Sequence, residues 1–133
     1  MVTGMTSSAS LEGATFRLFM TYDPPNWNEY IVKERANMYG AAKLKREEKQ
    51  LVGWCCKGFE YIGGYPAQVT IRPHFNSMRK DLDNTRYKGI LDGLVAAGVI
   101  KNDNLKHIQR IILEPVFDDT EGIEVIIEPL EEL

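Results

Sequence analysis

The sequence predicts a single α+β domain of two layers, in which two main helices pack against one mixed β-sheet. Strand-like and helical segments follow one another in the order β-α-β-α-β-β, without an internal repeat or a domain boundary. The length of 133 residues suits one domain, and the apolar content of 44% suffices for one core without disulfide or metal support. We therefore expect residues 14–133 to form the domain and the small, polar residues 1–13 to be a flexible N-terminal segment.

The first half of the chain is predicted to contribute one strand and one long helix. Residues 14–22 are apolar, aromatic and β-branched, which favours a strand, and the Asp-Pro-Pro that follows ends it. Asn26, with Glu29 three positions later, is a variant of the capping box. It starts a long or kinked helix that is expected to run to about Lys57 and to be closed by Gly58.

The second half is predicted to contribute a strand, a helix and two further strands. Residues 67–75 have the composition of a strand. A helix is predicted over residues 84–97, where apolar residues recur at i, i+3, i+4, i+7 and i+8, and Gly98 stands at its C′ position. Residues 107–116 and 122–128 are the last two strands, and the turn-forming residues between them predict a hairpin.

Charge is unevenly distributed along the chain. The net charge of −3 disfavours nucleic-acid binding, but seven acids and no base lie between Asp118 and the C-terminal end, so residues 1–117 carry an excess of bases. Two interpretations stay open, an acidic solubilising terminus on a neutral domain or a basic surface kept apart from an acidic one. Residues 43–49, with Glu47 and Glu48 among four bases, are expected to form a solvated helix face, and contact with a DNA backbone is the less favoured alternative.

Several other classes of protein are disfavoured. No apolar run approaches the roughly 18 residues of a membrane span, and no secretory signal is visible. The adjacent Cys55 and Cys56 are expected to be reduced thiols, and His74 and His107 are too few for a zinc site. We therefore expect a cytoplasmic protein with no membrane partner and no organic cofactor. Trp54, a large apolar side chain, is expected to be a core anchor.

Residues with chemical potential are concentrated between Lys80 and Asp103. Asp81 and Asp83, two apart in an extended segment, project from the same face. Two carboxylates so close repel each other unless a proton or cation lies between them, and Mg²⁺ is the usual cation. Asp103 follows the second helix, and a helix packed back on its parent strand is expected to bring it to the same neighbourhood. Taken alone, the Asp-x-Asp pair favours a structural role, since Asp83 or Asn84 also suits a helix N-cap.

Together with their surroundings, these residues resemble the RusA family of Holliday junction resolvases. That family shows a D-x-D-N pattern, a lysine one helical turn later, an aspartate four residues further on, a leucine, a glycine and a final aspartate. The residues that carry the resemblance are Asp81, Asp83, Asn84, Lys88, Asp92, Leu94, Gly98 and Asp103. It covers roughly residues 16–128. The chain departs from the pattern in having three residues rather than two before the lysine and Asn102 where the family often has a second aspartate.

The resemblance implies a Mg²⁺-dependent endodeoxyribonuclease that resolves four-way DNA junctions in recombination and repair by paired symmetric nicks. Asp81, Asp83 and Asp103 would hold the metal, for which Mn²⁺ could substitute, and Lys88 would stabilise the charge that develops on the phosphate. Asp92 is expected to be an i,i+4 partner of Lys88 rather than a ligand. A homodimer is implied because a junction needs two opposed nicks, and such compact resolvases are typical of phages and prophages.

Four bases near the carboxylates suit phosphate contacts, although exposed bases near a strand end are common. They are Arg72, Arg79, Lys80 and Arg86. Two alternatives to a junction resolvase stay open. One is a nuclease with a broader preference for branched DNA, such as flaps and forks. The other is a non-catalytic module that binds DNA or a protein partner and whose aspartates are only caps and loop residues.

Overall fold

The computed structural model describes residues 7–21, 38–75, 87–120 and 122–130. Within these ranges the chain forms six strands and two helices, which confirms the predicted α+β fold with a mixed sheet. The elements are β1 (Ser7–Glu12), β2 (Thr15–Met20), α1 (Met38–Cys56), β3 (Ala67–Phe75), α2 (Tyr87–Ala96), β4 (Ile108–Leu113), β5 (Val116–Phe117) and β6 (Gly122–Pro129).

The residues assigned to the site from the sequence either lie on β3 or follow it along the chain. The strand order is β1-β2-β6-β3-β4, with β5 also paired to β3. β6 runs antiparallel to β3, whereas β4 and β5 run parallel to it. The bounds of β3 are those predicted, and Val69 and Ile71 are fully buried. Because β4 is parallel to β3, α2 has to carry the chain from the end of β3 back towards its start.

Both helices pack on one face of the sheet, and the core lies between the two layers. The register places Val69 beside Ile127 and Ile71 beside Val125, so these side chains share that face. The helices cover it with Val52, Cys55, Cys56, Ile90, Leu91 and Leu94. The opposite face, which we call the polar sheet face, carries Arg17, Gln68, Arg72, His74, Arg110, Glu114, Glu124 and Glu128.

The two helices lie close together because α2 has glycines on the side that faces α1. A Cβ atom on Gly93 would lie 2.6 Å from the Cβ of Val52, and one on Gly89 would collide with the carboxylate of Glu48. Since Glu48 and Val52 are four residues apart, as the two glycines are, the helices run in the same direction. They therefore form one continuous layer over the sheet.

The predicted hairpin near the C-terminal end is wrong. β6 pairs with β2 and β3, whereas β4 and β5 pair with β3 on its other side. A strand as deeply buried as β3 needs hydrogen-bonding neighbours on both sides, and the two following segments supply them. The predicted strand over residues 107–116 is also divided, because Pro115 lacks an amide hydrogen and separates β4 from β5.

The N-terminal part of the chain adds a strand that the sequence did not predict. β1 lies within residues 1–13, for which flexibility is expected, and it pairs antiparallel with β2. α1 ends at Cys56, close to the predicted end, and Lys57 and Gly58 adopt φ angles of 54° and 76°. The parts of the predicted helices before residue 38 and over 84–86 lie outside the described residues. Neither of the two described helices is long and apolar enough to cross a membrane.

Candidate functional site

The structure describes only some of the residues assigned to the site from the sequence. Lys88, Asp92, Asp103 and Arg72 lie in the described ranges. Those outside the described residues are Asp81, Asp83, Asn84, Arg79, Lys80 and Arg86. Among the described residues, no group of three or more His, Cys, Asp or Glu side chains is placed to hold a metal ion. The metal centre, two of whose three carboxylates fall outside those ranges, stays a prediction.

Asp103 lies in an exposed turn between α2 and β4. Asn102 shapes this turn, because its Oδ1 accepts a hydrogen bond from the backbone N–H of Asn104 at 3.0 Å. Asn104 repeats the arrangement by accepting from the N–H of Lys106 at 3.2 Å. The carboxylate of Asp103 is exposed and pairs with no described residue. Since Mg²⁺ prefers carboxylate oxygens, Asp103 fits the role of a metal ligand, and Asn102 is engaged as a turn residue.

Lys88 lies in the first turn of α2, and its side chain is 65% exposed. Its Nζ is 3.8 Å from Oδ1 of Asp92, which confirms the expected i,i+4 pair. An exposed pair of this kind contributes little stability, so the ammonium group can exchange Asp92 for a phosphate oxygen. The partial positive charge of the helix N-terminus also favours a phosphate at this end of α2.

Lys88 and Asp103 lie near opposite ends of α2. This helix of 10 residues is about 14 Å long. The turn that holds Asp103 adjoins the start of β3, where the N–H of Ala67 donates a hydrogen bond of 2.6 Å to the residue before β4. In the sequence, Asp81 and Asp83 instead follow the end of β3. The connection through α2 therefore does not by itself bring the three carboxylates together, and their convergence stays a prediction.

Arg72 is held by two carboxylates on the polar sheet face. Its Nε lies 3.1 Å from Oε1 of Glu114, and its Nη1 lies 3.5 Å from Oε1 of Glu124. The β3–β6 register places Arg72 directly opposite Glu124. A DNA phosphate would have to compete with both carboxylates for this guanidinium group, and the role of Arg72 in DNA binding stays a prediction.

His74 belongs to the same charged network, two residues further along β3. Its Nδ1 lies 3.0 Å from Oδ2 of Asp118, and its Nε2 lies 3.9 Å from Oε1 of Glu124. Phe19 packs against the imidazole edge-on, with ring centroids 5.2 Å apart. Only 13% of the side chain is exposed, so His74 is a packed residue of the sheet.

Glu48 is a buried carboxylate beside the start of α2, and its expected place on a solvated face is wrong. Only 2% of the residue is exposed. Its carboxylate fills the space that a Cβ of Gly89 would occupy. Gly89 is the residue after Lys88 in the chain. The available signal was the spacing of Gly89 and Gly93, because glycines four residues apart share a helix face and allow a close neighbour.

The residues at the end of α1 divide between core and surface. Cys55 and Cys56 are reduced thiols, as predicted, and both are buried. Burial raises the pKa of Cys55 above its ordinary value and raises the pKa of Cys56 to about 12. Thiols with a raised pKa are poor nucleophiles, so neither suits catalysis. The expectation that Trp54 is a core anchor is wrong, since it is 54% exposed on the outer side of the helix.

A model of a known protein family matches most of the chain. The family is described as Endodeoxyribonuclease RusA, and the match spans residues 17–128. This region includes both described helices and every residue assigned to the site. No curated protein matches the chain with significance.

Proposed function

The chain belongs to the RusA family of endodeoxyribonucleases, and from this we propose that it resolves four-way DNA junctions by paired, Mg²⁺-dependent nicks. Membership makes the protein a nuclease that hydrolyses phosphodiester bonds within DNA. The observation that carries the proposal is the extent of the match, because residues 17–128 include Asp81, Asp83, Lys88 and Asp103. These are the carboxylates and the cation that metal-assisted phosphodiester hydrolysis requires.

Each residue has a distinct task in this proposal. Bound Mg²⁺ supplies Lewis acidity and lowers the pKa of water. Asp81, Asp83 and Asp103 offer oxygen ligands, and the part of Asp103 is supported by its exposed carboxylate, which pairs with no described residue. Lys88 places a positive charge where negative charge builds up on the phosphate oxygens, after the substrate displaces Asp92 from the exposed pair.

A homodimer fits both the reaction and the geometry of α2. Two symmetric nicks on opposed strands require two centres, which a two-fold dimer supplies. Because Lys88 and Asp103 lie at opposite ends of α2, a second protomer also offers a route by which Asp103 can meet the carboxylates that precede that helix. Junction resolution of this kind serves recombination and repair of DNA in the cytoplasm, in a phage- or prophage-carrying cell.

The deciding experiment compares cleavage of a synthetic four-way junction with cleavage of a flap, a fork and a linear duplex, each with and without Mg²⁺. We expect paired nicks in the junction that require Mg²⁺ or Mn²⁺, and none in the linear duplex. Asp81→Asn should abolish cutting while junction binding persists. Equal cutting of linear DNA, or unchanged cutting by Asp81→Asn, would contradict the proposal, and equal cutting of flaps and forks would identify the broader nuclease.

A further inference from the structure

The outward side of the helix layer carries a group of exposed bases, of which the proposed chemistry uses only Lys88. We call it the helix-layer surface, and it consists of Lys88 on α2 with Lys43, Lys45, Arg46 and Lys49 on α1. Two acids lie among them: Glu47 is exposed, at 3.9 Å from Lys43, and Asp92 is partly exposed, at 3.8 Å from Lys88. The third acid of this region, Glu48, is buried and faces away from solvent. The part of this surface formed by described residues therefore has an excess of positive charge.

Close packing of the helices makes these bases one surface. Gly89 and Gly93 remove the side chains that would otherwise separate α2 from Glu48 and Val52. Packed helices have axes about 8–10 Å apart, and Lys49 follows Glu48 directly in α1. The bases of α1 and Lys88 therefore lie on directly packed helices of one layer, and Lys88 marks the end of α2 where the substrate phosphate is expected.

The charge pattern of α1 is unfavourable without a ligand. Like charges three or four residues apart on a helix repel each other, and Arg46 and Lys49 are such a pair. A solvated helix usually offsets this with acids at the same spacing, but no acid of the sequence stands three or four residues from Arg46 or Lys49. A bound polyanion would remove the repulsion, which makes the pattern typical of a surface that meets one.

The polar sheet face, in contrast, is unsuited to a polyanion. Its carboxylates, Glu114, Glu124 and Glu128, are joined there by Asp118, and the guanidinium of Arg72 is already paired with two of them. Approach of DNA to this face would bring phosphates against carboxylates. Charge therefore favours one docking side, the helix layer.

We propose that the helix-layer surface binds the phosphate backbone of the duplex arms of the DNA substrate, with Arg46 and Lys49 as contacts beyond the catalytic centre. The inference rests on the proposed function, since it takes branched DNA as the substrate. Phosphate contacts carry no base information, so this surface holds arms of any sequence and positions the branch point near Lys88. The interaction is electrostatic and weakens as the salt concentration rises, because the release of counterions from the DNA then gains less entropy.

The test compares two double variants that each remove two exposed positive charges. Arg46→Gln with Lys49→Gln changes the helix-layer surface, and Arg17→Gln with Arg110→Gln changes the polar sheet face by the same charge. Binding of a labelled four-way junction and of a linear duplex is measured by fluorescence anisotropy from 50 to 300 mM salt, with Ca²⁺ replacing Mg²⁺ to suppress cutting. Circular dichroism and thermal melting establish that both variants fold like the wild type.

We expect the helix-layer variant to bind both DNAs about tenfold more weakly at low salt, and the slope of log affinity against log salt to fall by about 1.8, since each B-DNA phosphate contact contributes about 0.9. The sheet-face variant should keep the wild-type slope. Equal slopes for wild type and the helix-layer variant would overturn the inference while leaving the nuclease intact. Absence of junction binding and cutting by the wild type would instead overturn the proposed function on which the inference rests.

Discussion

The helix-layer surface and the polar sheet face use similar charged residues in opposite ways. On the sheet, the register places Arg72 directly opposite Glu124, and a second carboxylate, Glu114, completes its pairing. On α1, Arg46 and Lys49 are like charges three residues apart. Of the two acids between them, Glu47 lies 3.9 Å from Lys43 and Glu48 is buried. Paired charges hold strands together, whereas an excess of one sign is available to a partner.

The difference follows from how each surface is built. Cross-strand pairs join residues that are distant in sequence, so they appear only after the strands have found their register. The charges of a helix face are set by local spacing and stay where the sequence puts them. Among the described residues, the local charges of α1 are mainly positive and the cross-strand network is rich in carboxylates. The described part of the domain therefore has a basic side and an acidic side, although the net charge of the chain is −3.

The same distinction separates what could be predicted from what could not. The bounds of β3, the end of α1 near Lys57 and the Lys88–Asp92 pair depend on local patterns, and the structure agrees with them. Gly98 likewise has the positive φ of 78° that its position after α2 predicts. The pairing of β6 with β2 and β3 depends on competition between whole strands, which no local pattern encodes, and the predicted hairpin was therefore wrong.

The candidate site follows the same rule. Asp103 and Lys88 were found from spacing and resemblance, and their exposure suits their proposed tasks. Glu48 was missed because its burial is caused by glycines of another helix, about forty residues later in the chain. The meeting of Asp103 with Asp81 and Asp83 depends on tertiary or dimer geometry and so stays a prediction.

The largest expected effect is on the rate of DNA cutting, from a change at Asp103 in the turn after α2. Asp103→Asn keeps the size of the side chain but removes a ligand charge, so we expect junction cutting to fall by about 100-fold or more, because metal-based stabilisation of the transition state is worth several kcal/mol. Junction binding and thermal stability should be unchanged, since the carboxylate pairs with no described residue. Single-turnover cleavage rates with saturating Mg²⁺ measure the effect.

The matched control is Asp119→Asn, which makes the same substitution at an exposed position of the loop before β6. It should cut at the wild-type rate. Comparable loss in both variants would show that acids in general, rather than Asp103, support cutting.

A second experiment distinguishes convergence of the carboxylates within one protomer from convergence between two. A mixture of Asp81→Asn and Asp103→Asn chains regains cutting activity only if carboxylates of two protomers meet at one centre.

An intermediate effect is expected where the two helices touch. Gly93→Ala places a methyl group 2.6 Å from the Cβ of Val52, a branched residue whose position is fixed by the helix. Overpacking of this kind costs about 1–3 kcal/mol, from which the better helix propensity of alanine recovers up to about 1 kcal/mol. We expect a net loss of about 1–2 kcal/mol in the free energy of unfolding, measured by urea denaturation.

The control for this change is Gly53→Ala, on the other helix. Its Cβ would lie 3.7 Å from the Cβ of Ala97, an ordinary contact, so the substitution should be neutral or stabilising by up to about 1 kcal/mol. Equal destabilisation by both alanines would mean that helical glycines matter for some reason other than the approach of α2 to α1. The separation of the two results therefore tests whether close packing forms the single helix layer.

The smallest effect is expected on the polar sheet face. Glu124→Gln keeps the shape of the side chain but removes the charge that lies 3.5 Å from Arg72 and 3.9 Å from His74. Arg72 retains Glu114 at 3.1 Å, and both partners are partly open to solvent, so the loss should be below about 1 kcal/mol in the free energy of unfolding. Junction affinity and its salt slope should stay at the wild-type values, because this face is not the docking side. A fall in affinity as large as that of the Arg46 and Lys49 double variant would contradict the assignment of DNA to the helix layer. Removal of a negative charge can weaken DNA binding only if Glu124 positions a basic side chain that the DNA contacts.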